Sequence, residues 1–344
     1  MTQEFILGGY TKRDNEGFHQ VFFNPNDGTF SKTALIGKLN NPTFVALNDD
    51  KTLLFAIHQD GEKAGLVVFN KIENKQWEQI DQCMATDIPG CHVSWREESQ
   101  TVYVANYHEG SIDVYAFKDN TLSHIQRVSH SGSSVHPNQT KPHIHYTGMN
   151  QDHTLLFACD LGTDIVATYT IGSDGQISLK HEYKLEAGTG PRHLVFHPSY
   201  KYMYVIGELA NTTTVLSVSE SGKLKALQSV ANVDTANSPD NTAGAAIRLT
   251  SDGKFLYTST RYNDTISVYG VSEDGSELTP IERVDSVGQV PRDFILDETE
   301  QYVLVAHQDS DHITVFSRDA ETGRLKYRHN ETYAPECVCI CPAS

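Results

Sequence analysis

The chain is a succession of short segments in which the side chains alternate in character. In "GPRHLVFHP", residues 190–198, Leu194 and Phe196 alternate with Val195 and His197, the period of two expected of a half-buried strand. Two ionisable residues, Arg192 and His193, stand at the start of that segment. Either the strand begins in solvent, or several strand starts converge there on a common mouth.

Sliding "PRHLVFHPSYKYMYVIGELANTTTVLSV" along the chain finds related segments. They start at Pro42, Pro89, Pro142, Ala243 and Pro291, which with Pro191 makes six copies, spaced 47, 53, 49, 52 and 48 residues apart. Each copy reads strand, polar turn, strand, polar loop, strand, and a weaker fourth strand follows, as in "LTPIERV" and "LSHIQRV". Four strands recurring at this period predict an all-β fold, a β-propeller with four-stranded blades. A seventh copy is divided between the chain ends. "PECVCI" from Pro335 matches a first strand, and "FILGGYT", "GFHQVFF" and "FSKTALIG" supply the other three. A seven-bladed ring is therefore expected to close where the C-terminal strand joins the N-terminal strands, removing open sheet edges. No run of Gly, Ser or Pro divides the 344 residues, which predicts a single domain over residues 1–344. The Gly-His…Trp-Asp and paired-glycine signatures of scaffold propellers do not recur, and there are only two tryptophans.

In such a blade the start of the first strand and the end of the second meet at one rim of the channel. Near first-strand starts stand His92, His143, His145, Arg192, His193, Arg292, Asp293 and Glu336. Near second-strand ends stand Tyr10, Gln59, Tyr107, Asp160, Glu208, Arg261 and Gln308. The two long spacings come from insertions, "HSGSSVHPNQTK" and "VDTANSPDNTA", which fall on this same face, whereas the other face receives short turns. A channel mouth is wet, so its polar residues need no function, and Arg192 with Glu208 can make a purely structural ion pair. Acid, guanidinium and imidazole gathered in consecutive blades are nonetheless the minimum set for acyl-transfer chemistry.

Charge and cysteine narrow the function. With 44 acidic against 27 basic residues the net charge is −17, which argues against nucleic acid as a partner. No stretch approaches the 18 apolar residues that would span a membrane, and the N-terminus lacks the pattern of a signal peptide. The six cysteines show no CxxC spacing, which predicts a reduced, cytoplasmic protein. Cys337, Cys339 and Cys341, two residues apart, are expected on one face of a strand as packing residues rather than metal ligands.

The segments "PHIH", "ACDLGTD", "GPRHLVFHP", "GELANTTTV" and "SDGKFLYTSTR", with "LGGYT" at the start and "PECV" at the end, resemble the lactonase-type seven-bladed propellers. That family includes the propeller form of 6-phosphogluconolactonase and the fungal 3-carboxy-cis,cis-muconate lactonizing enzyme. The resemblance implies a hydrolase of carbohydrate metabolism that opens a small anionic lactone without metal or other cofactor. It also implies catalytic residues at His145, Arg192, Glu208 and Arg261. His143, His193, Arg292 and Gln308 are the expected substrate-binding residues, and either Glu208 or His145 the base. The chain departs from the family pattern at Ala246, where an acid is common, and at "STRY" around Arg261. Both departures lie at the expected mouth, so the choice between a phosphorylated sugar lactone and another lactone stays open. So do a cycloisomerase and a non-catalytic binder of peptides or sugar acids.

Overall fold

A computed structural model describes residues 1–73, 76–234 and 236–344. Its strands form seven antiparallel sheets, and no α-helix occurs among the described residues. The innermost strands, in order, are Val45–Leu47, His92–Arg96, Ile144–Met149, Pro191–Phe196, Ala243–Leu249, Pro291–Leu296 and Cys337–Pro342. They define blades one to seven. Each packs against the next, and Cys337–Pro342 returns to Val45–Leu47, so the ring is closed.

Blade seven is the divided one. Cys337–Pro342 pairs with Gln3–Gly9, which pairs with Gly17–Asn24. Its outer edge is split into two short strands, Thr29–Phe30 and Ala34–Lys38, so that sheet has five strands instead of four. The closure is pinned by the Ala343 amide donating to the Glu4 carbonyl at 2.8 Å.

The alternation along the strands has a direct structural meaning. On the second strand of blade four, Met203 and Val205 pack toward blade three, whereas Tyr204 and Ile206 pack toward blade five. Seven apolar clusters result, one at each blade–blade interface. Burying both faces of every sheet supplies the main driving force for the ring. Buried tyrosines need a partner for their hydroxyls. Tyr103, Tyr204 and Tyr257 each donate to a turn-glycine carbonyl of the following blade, Gly175, Gly275 and Gly323, at 2.8 to 2.9 Å. These bonds fix the angular step from one blade to the next.

The period of two breaks at the start of five inner strands. In blade three Ile144 pairs with Asp160 and Tyr146 with Cys159, so His145 is left out of the ladder. In the same way Arg192 is skipped in blade four, Arg292 in blade six and Val338 in blade seven. Blade five skips Ala245 and Ala246. A β-bulge turns its extra residue away from the regular pleat. It also separates the three cysteines. Cys339 and Cys341 face blade one as expected, but the bulge at Val338 rotates Cys337 to the blade-six side.

Candidate active site

Four of these bulges, at His145, Arg192, Arg292 and Val338, point into a cavity of about 490 Å³ at one mouth of the channel. His145, Arg192, His193, Glu208, Arg261 and Arg292 all line it, together with Tyr10, Lys12, Phe44, Cys91 and Tyr107. A groove of about 560 Å³ at the outer rim, between Thr29–Thr33 and Tyr333, gathers no comparable set of charged groups.

At the centre of the cavity one carboxylate holds two guanidiniums. Glu208 Oε2 accepts from Arg192 Nε at 3.0 Å and lies 2.7 Å from an Arg261 terminal nitrogen. Arg192 also donates to the Ala245 carbonyl at 2.7 Å and to His193 Nε2 at 3.3 Å. Arg261 donates to the Gly244 carbonyl at 3.2 Å, while its Nε is buried without a partner. The inner strand of blade five thus offers backbone oxygens to both arginines, Ala245 from within its bulge and Gly244 from the rung before it. Glu208 is itself located by its amide, which donates to the Gly190 carbonyl at 2.8 Å. Gly190 has φ +60°, a left-handed conformation that glycine enters freely, and its own amide donates to Asp164 Oδ1 at 2.7 Å.

Burial and charge set the protonation states. Burial alone would raise the Glu208 pKa, but Arg261, Arg192 and Arg292 outweigh it and hold the carboxyl below its ordinary value. Arg192 is lowered to about 9, first by burial and then by its neighbours Arg261 and Arg292, and it stays charged at neutral pH. His145 is held well below the usual imidazole range by burial, then by Arg192 and Arg292. His193 is depressed likewise, by burial, Arg192 and His145. Both rings are neutral at pH 7. His145 Nδ1 is sealed from solvent without a hydrogen-bond partner, which leaves Nε2 as the nitrogen able to exchange a proton with a ligand. Burial pushes the Cys91 thiol up to about 12, so it is no nucleophile.

The remaining expected residues are placed differently. His143 stands behind Tyr107: the rings stack at 4.2 Å, and its Nδ1 lies 2.7 Å from the Tyr107 carbonyl. Gln308 flanks Arg292, accepting from it at 3.3 Å. Neither lines the cavity. Asp293 pairs with Arg248 at 2.6 Å and accepts from the Ile340 amide, and Asp160 accepts from the His143 and Gly162 amides, so both act in the framework. Lys12 was not foreseen. It lies in the loop after the second strand of the divided blade, residues 10–16, which is longer than the corresponding loop at residues 107–110 of blade two. No group of three His, Cys, Asp or Glu among the described residues is placed to hold a metal ion.

Comparison with known proteins supplies the family. Residues 4–342 match the family model "Lactonase, 7-bladed beta-propeller". The chain belongs to this lactonase family. It is 34% identical over 338 residues to 6-phosphogluconolactonase of Bacillus subtilis, covering 97% of this chain and 96% of that protein. A crystal structure of a Lactobacillus plantarum protein superposes with a TM-score of 0.94 at 34% identity, covering 99% of both chains. The periplasmic gluconolactonase of Pseudomonas aeruginosa superposes with a TM-score of 0.92 at 26% identity, over 99% of this lactonase and 98% of that chain.

Proposed function

We propose that this lactonase hydrolyses a sugar lactone, as a 6-phosphogluconolactonase does. The observation that carries the reading is a neutral imidazole, His145, beside two guanidiniums clamped by one carboxylate in a cavity. Four cationic side chains line that cavity (Lys12, Arg192, Arg261 and Arg292) against the single carboxylate of Glu208. The local field therefore favours an anionic ligand, although the whole chain carries −17. Charges elsewhere on the surface are screened beyond about 8 Å at physiological salt.

In this reading the lactone carbonyl oxygen faces Arg192 and Arg261. His145 Nε2 takes a proton from water as the water oxygen attacks the carbonyl carbon. The negative charge that builds on the carbonyl oxygen is met by fixed cations, a contribution of roughly 3–4 kcal/mol. Collapse of the tetrahedral intermediate breaks the bond to the ring oxygen, which receives the proton from the imidazolium. The product is the open hydroxy acid. Glu208 is assigned the clamp rather than the base. Protonating it would forfeit two charge-assisted hydrogen bonds, whereas His145 Nδ1 and Nε2 make no such bonds to lose.

Cytoplasmic residence fits the cysteines, all six of which are free thiols. Among the described residues no helix is long and apolar enough to cross a membrane.

The test is hydrolysis of 6-phosphoglucono-δ-lactone followed by pH-stat against the spontaneous rate. His145→Asn should lower kcat by about 10²–10⁴-fold, the usual contribution of a general base, while the protein melts like its parent. A parent protein that opens no lactone faster than buffer would remove the hydrolase reading.

A further inference from the structure

Two of the four cations in the cavity have no carboxylate partner among the described residues. Arg192 and Arg261 share Glu208, but Arg292 touches only neutral groups: the Gln308 amide oxygen, at 3.3 Å, and the face of Tyr10, whose ring centroid lies 5.6 Å from the guanidinium carbon. Lys12 places its ammonium 4.3 Å from the same ring centroid. One aromatic ring therefore gathers two cations at one corner of the cavity.

The surrounding acids are already engaged. Glu336 accepts from the backbone amides of Lys12 at 3.1 Å and Arg13 at 2.8 Å. It does so from φ 48°, a left-handed conformation that a residue with a side chain adopts only at a cost. Asp311 takes the Arg13 guanidinium and the Glu336 amide, both at 2.7 Å. The Thr11 amide donates to Asn41 Oδ1 at 3.1 Å, which fixes the other side of the turn. These contacts hold the backbone of Lys12 at the cavity rim without neutralising its ammonium. Arg292, set in its bulge, projects into the same cavity, and its charge also depresses His145 and Glu208.

We infer that Lys12 and Arg292, with Tyr10 between them, form the subsite for a phosphate ester carried by the substrate, in the same cavity as the clamp where the lactone ring opens. The assignment rests on the hydrolase reading and specifies its substrate class. A guanidinium fork and a mobile ammonium together match the oxygens of a phosphate dianion. An uncharged lactone would leave both cations unanswered, so the corner discriminates phosphorylated from plain sugars.

The experiment compares glucono-δ-lactone with its 6-phosphate ester for the parent, Lys12→Met, Arg292→Met and the double variant. Neither residue is in an ion pair among the described residues, so the folds should survive, and melting curves check this. The ratio of kcat/KM for the phosphorylated over the plain lactone should fall about ten- to hundredfold in each single variant, mainly through KM, as expected for a lost charged hydrogen bond. An unchanged ratio, or equal losses on both lactones, would overturn the assignment. Calorimetric titration with inorganic phosphate separates the two readings. Phosphate binding that weakens in both variants supports the subsite even if no lactone is turned over, in which case only the hydrolase reading fails. Phosphate binding that is identical in parent and variants overturns the subsite whatever the lactonase activity.

Discussion

Glu208→Gln separates a clamp from a base. The substitution keeps the shape of the side chain but removes the charge held at 3.0 Å from Arg192 and 2.7 Å from Arg261. Arg192 is 2% exposed and Arg261 6%, so two buried cations lose their counter-ion. Breaking a buried pair from one side costs on the order of 3–5 kcal/mol. Both arginines keep a backbone carbonyl, and the Glu208 side chain is 17% exposed, which places the cost near the lower end. For a chain of 344 residues, roughly 3 kcal/mol corresponds to a fall of about 4 °C in Tm. Inorganic phosphate should restore more of that loss in the variant than it adds to the parent, because an anion can replace the missing carboxylate. Kinetically, a clamp predicts a lower kcat with KM for the anionic lactone unchanged or reduced, since the cavity has gained one unit of positive charge. The acidic limb of kcat/KM should survive, because it belongs to His145. The assay is a pH–rate profile run beside differential scanning calorimetry, with and without phosphate. Disappearance of the acidic limb in Glu208→Gln would refute the assignment and make Glu208 the base.

Two further outcomes follow from the fold and from buried imidazoles. Deleting residues 335–344 removes the inner strand of blade seven and bares the edge of Gln3–Gly9, so the truncated chain should aggregate or lose its cooperative melt; calorimetry showing the parent transition would contradict ring closure. His92 and His307 are lowered to about 3 by burial, and His145 and His193 lie well below the ordinary range for the same reason. Each keeps its neutral form when folded but binds a proton when unfolded, so stability is complete above about pH 6.5 and is lost as pH falls toward the folded pKa values, by up to about 1.4 kcal/mol per pH unit for each histidine. Urea titrations between pH 7 and 5 should show this decline, and a flat profile would mean that these rings are not held neutral.

The parts of the molecule governed by repetition were legible in the sequence. Blade number, strand order and the divided blade all follow from a period of about fifty residues, because each copy must bury the same two faces. Arg192, Glu208 and Arg261 were legible for the same reason, since their places at strand starts and ends recur from blade to blade. The bulges were not. A strict period of two would put Arg192 and His193 on opposite faces, yet both line the cavity, because Arg192 has left the ladder. Whether a ladder skips a residue depends on its partner strand and leaves no mark in the alternation. The same blindness put Cys337 on the wrong side of its strand. His143 and Gln308 stand at the right rim, but a column position does not tell a wall residue from the one behind it. Lys12 stands two residues past the Tyr10 column, in a loop of this blade longer than that of blade two, where the column no longer aligns.

The bulges also separate what the fold needs from what the ligand needs. His145, Arg192 and Arg292 belong to no rung of a ladder and to none of the apolar clusters between blades. A change of identity at His145 or Arg292 removes no rung of a ladder and no contact within these clusters, whereas Arg192 also ties blade four to the Ala245 carbonyl of blade five. The propeller is in this respect a socket with interchangeable contacts: its inner rim can be rewritten for another ester or lactone while the ring beneath goes on assembling unchanged.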